Sequence, residues 1–230
     1  MIMHMLKWII NADLLKLIAL ISMTIDHMVK CGYFGSNALW LSHSVGRLAF
    51  PIFGFLIMKH FAKGGANIFK KYCVRLSIFG LITILGLWLI HAQITELNVL
   101  FTFLWPILFI EFAQKAGKGT ALTKSIWGWL VPISVLIAMV PVVLLTDYWF
   151  VGFFYLIALY TWFNQPNFLS TCACIMPFLL EPGFSWVFQI MTVAFLLLTN
   201  DRIGGKRWMK PWWLCYIYYP LHLIILELLK

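Results

Sequence analysis

Asp26, His27 and Arg47 are the side chains best suited to chemistry in this chain, and each is an ionisable group set inside an apolar run. A charged residue near the middle of a bilayer costs on the order of 2.5 to 3.5 kcal/mol on insertion scales, so such residues are rare and mark sites or ion pairs. Ser22, Asp26 and Lys30 recur every four residues and share one helical stripe, with His27 about 100° around the axis. His43 and Arg47 share a stripe on the next segment. The connection between the two segments is short, which makes them antiparallel neighbours and lets Asp26, His27 and Arg47 meet at similar depth. Pro51 cannot donate to the Arg47 carbonyl and should kink the second helix, while Gly46 and Gly54 admit a close neighbour. Two readings stay open from these residues: a reactive pocket, or an Asp26–Arg47 ion pair that only neutralises two buried charges.

Other polar positions carry less. His222 sits mid-segment in Tyr218-Tyr219-Pro220-Leu221-His222, where a satisfied core histidine is the ordinary reading. Asn98 and Thr102 share a helix face and suit hydrogen bonding between helices. Glu111 and Lys115 form a surface pair, and Asp147 falls in a turn. The chain has no glycine-rich phosphate loop, no GxSxG elbow and no HExxH. Asp26-His27 lacks the spacing of a two-histidine metal site, so no metal is expected. The five cysteines form no CxxC pair, and neither a disulfide nor a structural metal is expected of them.

The elements that must position these residues follow from composition. Of 230 residues, 63% are apolar and only 11% are charged, against about half and a quarter in a soluble domain. Twelve Trp, twenty Phe and eight Tyr stand against eight carboxylates, which excludes a cytosolic enzyme, a disordered chain and a secreted disulfide scaffold. The expected fold is all-α: a polytopic integral membrane helical bundle forming a single domain over 1–230. A helix needs roughly 20 residues to cross the hydrocarbon. Hydropathy gives about nine segments (range eight to ten): 14–33, 40–61, 72–91, 97–113, 124–146, 148–164, 167–180, 184–200 and 212–229. The seventh, short and holding Pro177, could be re-entrant. Met1 to Lys16 lacks the pattern of a cleavable signal, so the first apolar segment is expected to stay as helix one.

Seventeen Lys and Arg residues set the expected orientation. Lys7 and Lys16; Lys59, Lys63, Lys70, Lys71 and Arg75; Lys115, Lys118 and Lys124; and Arg202, Lys206, Arg207 and Lys210 all fall on one side, which places the N-terminus in the cytoplasm. The net charge of +9 is thereby explained by topology, and no nucleic-acid partner is expected.

Several strings resemble the TraX family, inner-membrane proteins of conjugative plasmids that N-acetylate the pilin subunit. They are Ala19-Leu20-Ile21-Ser22-Met23-Thr24-Ile25-Asp26-His27, Gly46-Arg47-Leu48-Ala49-Phe50-Pro51-Ile52-Phe53, Arg75-Leu76, Asn98-Val99-Leu100-Phe101-Thr102 and Tyr218-Tyr219-Pro220-Leu221-His222-Leu223. The resemblance covers nearly the whole chain. One departure is Trp149 in Asp147-Tyr148-Trp149, where the family more often has glycine. A wider likeness is to the family-3 membrane acyltransferases, which also use a histidine near the end of the first helix and a nearby arginine.

The resemblance implies a bacterial inner-membrane acetyltransferase that takes acetyl-CoA as donor and a pilin subunit as acceptor, among membrane lipids. It implies His27 as general base and Arg47 as its electrostatic partner. Asp26 cannot easily hydrogen-bond the ring of its own neighbour, so it is assigned to holding Arg47 or attracting the acceptor ammonium. Ser22, His43, Asn98, Thr102 and His222 are the candidates for binding the substrate. Lys71, Arg75, Arg202 and Arg207, with Lys70 and Lys206, are candidates for the phosphates of acetyl-CoA, although topology alone also explains them. The expected depth of Asp26-His27 in the outer half leaves two routes for a cytoplasmic donor: its pantetheine arm reaches through the bundle, or the acetyl group is relayed. The alternatives are an O-acyltransferase acting on a glycan or cell-envelope acceptor, a transporter or permease using Asp26, Arg47 and His222 as a relay, and a chaperone of pilin.

Overall fold

A computed structural model describes residues 10–35, 38–64, 66–92, 98–117, 137, 140–141, 143–180, 185–204 and 213–230. The chain is all-helical, with β-structure among these residues confined to a two-residue bridge. The helices are α1 (Ala12–Lys30), α2 (Leu39–His43), α3 (Ala49–Ala62), α4 (Ala66–Leu89), α5 (Val99–Gly117), α6 (Trp149–Asn164), α7 (Phe168–Ile175), α8 (Ser185–Leu198) and α9 (Leu214–Leu228). Short 3-10 turns cover Gly46–Leu48, Met176–Leu180 and Asn200–Arg202. Strands β1 (Ile10–Asn11) and β2 (Ile203–Gly204) pair in parallel, Ile10 opposite Ile203. The expected segment 124–146 lies mainly outside the described residues, as do Lys7, Lys118, Lys124, Lys206, Arg207 and Lys210.

Two compact units are formed, one from residues 1–58 and 178–230 and the other from 59–177. In the first, α1 begins where the Asn11 side chain accepts from the Asp13 backbone N–H at 2.8 Å, with Asp13 at the positive end of the helix dipole. It ends at Cys31, whose N–H donates to the His27 carbonyl at 2.8 Å, and Gly32 follows at φ +84°. The interior stripe of α1 runs Leu15, Ala19, Ser22, Asp26, Val29, at alternating spacings of four and three. Its outer face shows Leu14, Leu17, Ile18 and Ile21. A water-soluble amphipathic helix would reverse that arrangement, with polar groups outside. Polar inside and apolar outside is what a hydrocarbon surrounding selects.

The second unit shows the same inversion. Along α4, Val74, Ile78, Leu81, Ile82, Leu85, Trp88 and Leu89 are exposed. Its packed side meets α5 where Asn98 donates to the Gly80 carbonyl at 3.0 Å and accepts from the Leu100 N–H at 3.1 Å. Gly80 is needed there, since a Cβ would lie 2.8 Å from the Phe101 ring. Further along, Val143 and Phe153 are buried against Trp105, Leu108 and Phe109. A capping box at Asn167 and Ser170 starts α7.

Leu39–Ala62, which runs through α2, the Gly46–Leu48 turn and α3, and Asn67–Leu89, 24 and 23 residues long, are long and apolar enough to cross a membrane. Trp149–Asn164, Phe168–Leu180, Ser185–Leu198 and Leu214–Leu228 are apolar but shorter. At 1.5 Å rise per residue, 13 to 16 residues reach only about 20 to 24 Å, short of a hydrocarbon core of about 30 Å. Length and composition together therefore identify two membrane-length helices among the described residues, and the count of nine rests on hydropathy alone.

Candidate functional site

The first unit gathers Ser22, Asp26, His27, the Gly46–Leu48 turn and His222. The turn packs directly on α1 because residue 46 has no side chain: a Cβ there would stand 2.8 Å from the Asp26 Cβ and 3.0 Å from its Cα. Ser22 fastens the same junction, its hydroxyl lying on the backbone carbonyls of Val45 and Gly46, the latter at 3.1 Å. A polar residue inside the α1 stripe thus supplies a donor to backbone carbonyls that helical hydrogen bonding leaves over at the break between α2 and α3.

Asp26 is buried, and each carboxylate oxygen is engaged. Oδ1 accepts from the Ser42 hydroxyl and Oδ2 pairs with Lys30 Nζ at 2.8 Å. The ion pair comes from one turn further along its own helix, while Arg47 lies within electrostatic reach of both Asp26 and His27. The sequence alone points to Arg47 as the partner of Asp26 and gives Ser42 no role.

His27 is half-buried at the last turn of α1. Its Nδ1 lies 2.7 Å from Nε2 of His222, and the two rings sit 4.9 Å apart with a 33° tilt. His222, buried on α9, has its Nδ1 2.8 Å from the carbonyl oxygen of Tyr218. The Tyr218 ring stacks on His222 at 5.0 Å and 10°, and Tyr219 meets both imidazoles edge-on. Thr24 donates to the Leu20 carbonyl at 2.8 Å, so the Tyr218 hydroxyl, 2.6 Å away, donates to Thr24. These contacts tie α1 to α9 at the level of the two histidines. Thr24 and Tyr218 both fall in the quoted strings, yet no property of either residue alone marks it as a support.

The remaining candidates are placed elsewhere. His43 is exposed at the end of α2. Asn98 and Thr102 belong to the second unit, where Asn98 is occupied by Gly80 and Leu100, and the buried Thr102 hydroxyl makes no hydrogen bond among the described residues. Lys71, exposed, and Arg75, half-buried, are on α4 of that unit. Arg202 is exposed in the 3-10 turn before β2. Arg207 lies outside the described residues. A cavity of about 310 Å³ in the first unit is lined by Leu15, Ile18, Leu48, Ile52, Phe188 and neighbouring residues of α8. It holds no titratable group, so proton transfer has no agent there.

A site of this kind can take a proton on a held imidazole beside a carboxylate and two cations. Comparison with known proteins bears on whose site it is. An uncharacterized protein of Rickettsia prowazekii (strain Madrid E) is 29% identical over 104 residues, a stretch covering 45% of this chain and 38% of that protein. No solved structure matches. The family model for the TraX protein matches residues 11–230, taking in α1, the Gly46–Leu48 turn and α9 together. The chain belongs to the TraX family.

Proposed function

We propose that this chain is a membrane-embedded acetyltransferase that moves an acetyl group from acetyl-CoA to the N-terminal amine of a conjugative pilin subunit. Membership of the TraX family suggests a conjugation-related, pilin-associated role. The observation that carries the chemistry is His27: one ring nitrogen is held at 2.7 Å by His222, while Nε2 makes no hydrogen bond among the described residues and the residue is half-buried. A held imidazole with a usable second nitrogen is the form a general base takes.

A free α-amine has a pKa of about 7.7 to 8.0 and attacks only when neutral. In the proposed reaction its nitrogen bonds to the thioester carbonyl carbon, and His27 takes the amine proton as the tetrahedral intermediate forms. The C–S bond then breaks, the thiolate leaves, and the imidazolium returns its proton to sulfur. Arg47 supports the oxyanion, and Asp26, held by Lys30 and Ser42, attracts the acceptor ammonium before it loses its proton. The same proposal places the chain in the bacterial inner membrane with nine crossings and a cytoplasmic N-terminus. The exposed apolar faces of α1 and α4 support a lipid surrounding, and the clustering of Lys and Arg supports the orientation.

Intact-mass spectrometry of membrane pilin from cells carrying the wild type or His27→Ala tests the reading. Loss of about 42 Da, one acetyl group, from the pilin N-terminus in the variant at unchanged pilin level is the expected result, because removing a general base costs about 10²- to 10⁴-fold in rate. Identical masses overturn peptide acetylation and turn the search to glycan hydroxyls or transport. Loss of pilin itself points to a chaperone.

A further inference from the structure

The hydrogen-bond chain from Tyr218 to His27 has a direction that the acceptor at its end decides. A carbonyl oxygen only accepts, so the His222 Nδ1 that lies 2.8 Å from the Tyr218 carbonyl carries a hydrogen. With that ring neutral, its Nε2 is a lone pair and can only accept. His27 Nδ1, 2.7 Å away, must then be the donor, and the lone pair of a neutral His27 is left on Nε2.

We infer that His222 is a positioning residue that fixes His27 as its Nδ1–H tautomer and so presents the Nε2 lone pair to the reacting proton. Its setting suits the task. The His222 ring is buried and clamped between the parallel Tyr218 ring and the edge of Tyr219, while Tyr218 is itself fastened to α1 through Thr24. The opposite tautomer of His27 would place its Nδ1 lone pair against the His222 lone pair at 2.7 Å, two acceptors with no hydrogen between them. When Nε2 takes a proton, the Nδ1–H donor is unchanged and the bond to His222 becomes charge-assisted, so the ring need not turn during the reaction. The charged groups facing the dyad are Asp26, Lys30 and Arg47, and all three stay in place in the tests below.

The tautomer stands independently of the proposed reaction, whereas its catalytic use rests on that reading. Nitrogen-15 NMR of the full-length protein labelled at histidine reads the first. The expected spectrum shows both His27 and His222 protonated at Nδ1 and unprotonated at Nε2. A His27 protonated at Nε2 overturns the inference whatever the activity. Steady-state kinetics with acetyl-CoA and a peptide bearing a free N-terminus read the second. His222→Phe keeps a flat ring but removes the acceptor, and kcat should fall at least about 10-fold at unchanged KM, with both His27 tautomers populated. His222→Gln returns a carbonyl oxygen to accept from His27 Nδ1 and should recover most of kcat. Equal loss in the Phe and Gln variants overturns the positioning role. The expected tautomer in a wild type that transfers no acetyl group supports the dyad geometry and overturns the acetyltransferase reading.

Discussion

Gly46 sits against Asp26 so closely that the smallest possible side chain would collide with it: a Cβ at 46 falls 2.8 Å from the Asp26 Cβ. Neither side can give way. Asp26 is held at both oxygens, and the turn carrying Gly46 is fastened by Ser22. Gly46→Ala should therefore destabilise the protein by about 1 to 3 kcal/mol, the usual cost of overpacking a filled interior. Thermal unfolding in detergent reads it, and a variant as stable as wild type would mean that the turn and α1 are not packed this tightly.

The Asp26–Lys30 pair is asymmetric, and the asymmetry predicts which partner is harder to remove. The Lys30 side chain is 45% exposed and that of Asp26 only 7%. Asp26→Asn leaves an ammonium on a flexible stem that can turn toward water or the membrane interface. Lys30→Met leaves a carboxylate buried with less compensation, which costs more. Lys30→Met should lower stability by about 2 kcal/mol more than Asp26→Asn. A reversed order would place the working charge compensation of Asp26 on Arg47.

Much of this was legible in the sequence, and the part that was not has a physical cause. Asp26, His27 and Arg47 stood out because a charge in an apolar run is costly and so conspicuous, and they do lie within electrostatic reach of one another. The partners of Asp26 and His27 were less legible. A serine or tyrosine in a membrane segment is too common to be conspicuous, so Ser42 and Tyr218 become meaningful only when folding sets them against Asp26 and His222. His222 reads from sequence as a core histidine or a substrate contact, and its contact with a residue 195 positions earlier is a product of the fold. The same limit applies to segment lengths. Hydropathy set 72–91 where α4 runs Ala66–Leu89, because Lys70 and Lys71 depress the average without breaking the helix.

Gln189 predicts a stabilising substitution. It is fully buried on α8, and both atoms of its carboxamide lack a hydrogen-bond partner among the described residues. A buried amide without partners costs about 1 to 3 kcal/mol relative to an apolar group of the same shape. Gln189→Met, nearly equal in volume, should raise the unfolding midpoint by the equivalent of about 1 kcal/mol. If the midpoint falls instead, the amide has a bound partner in the working protein, and titrating acetyl-CoA or acceptor peptide against wild type and variant would show which.

At Trp149, the first residue of α6, the backbone stands at φ +41°, in the left-handed region. A side chain there costs about 1 to 2 kcal/mol, more if it branches at Cβ. The indole is exposed and packs little, so nothing large opposes its removal. Glycine brings its own cost in the unfolded chain, roughly 0.5 to 1 kcal/mol, which offsets part of the relief. Trp149→Gly should therefore be neutral to about 1 kcal/mol more stable, and Trp149→Val at least about 1 kcal/mol less stable than glycine. Thermal unfolding of the two variants side by side checks this order. If valine matches glycine, the turn between Thr146 and α6 relaxes out of the left-handed region and Trp149 carries no strain there.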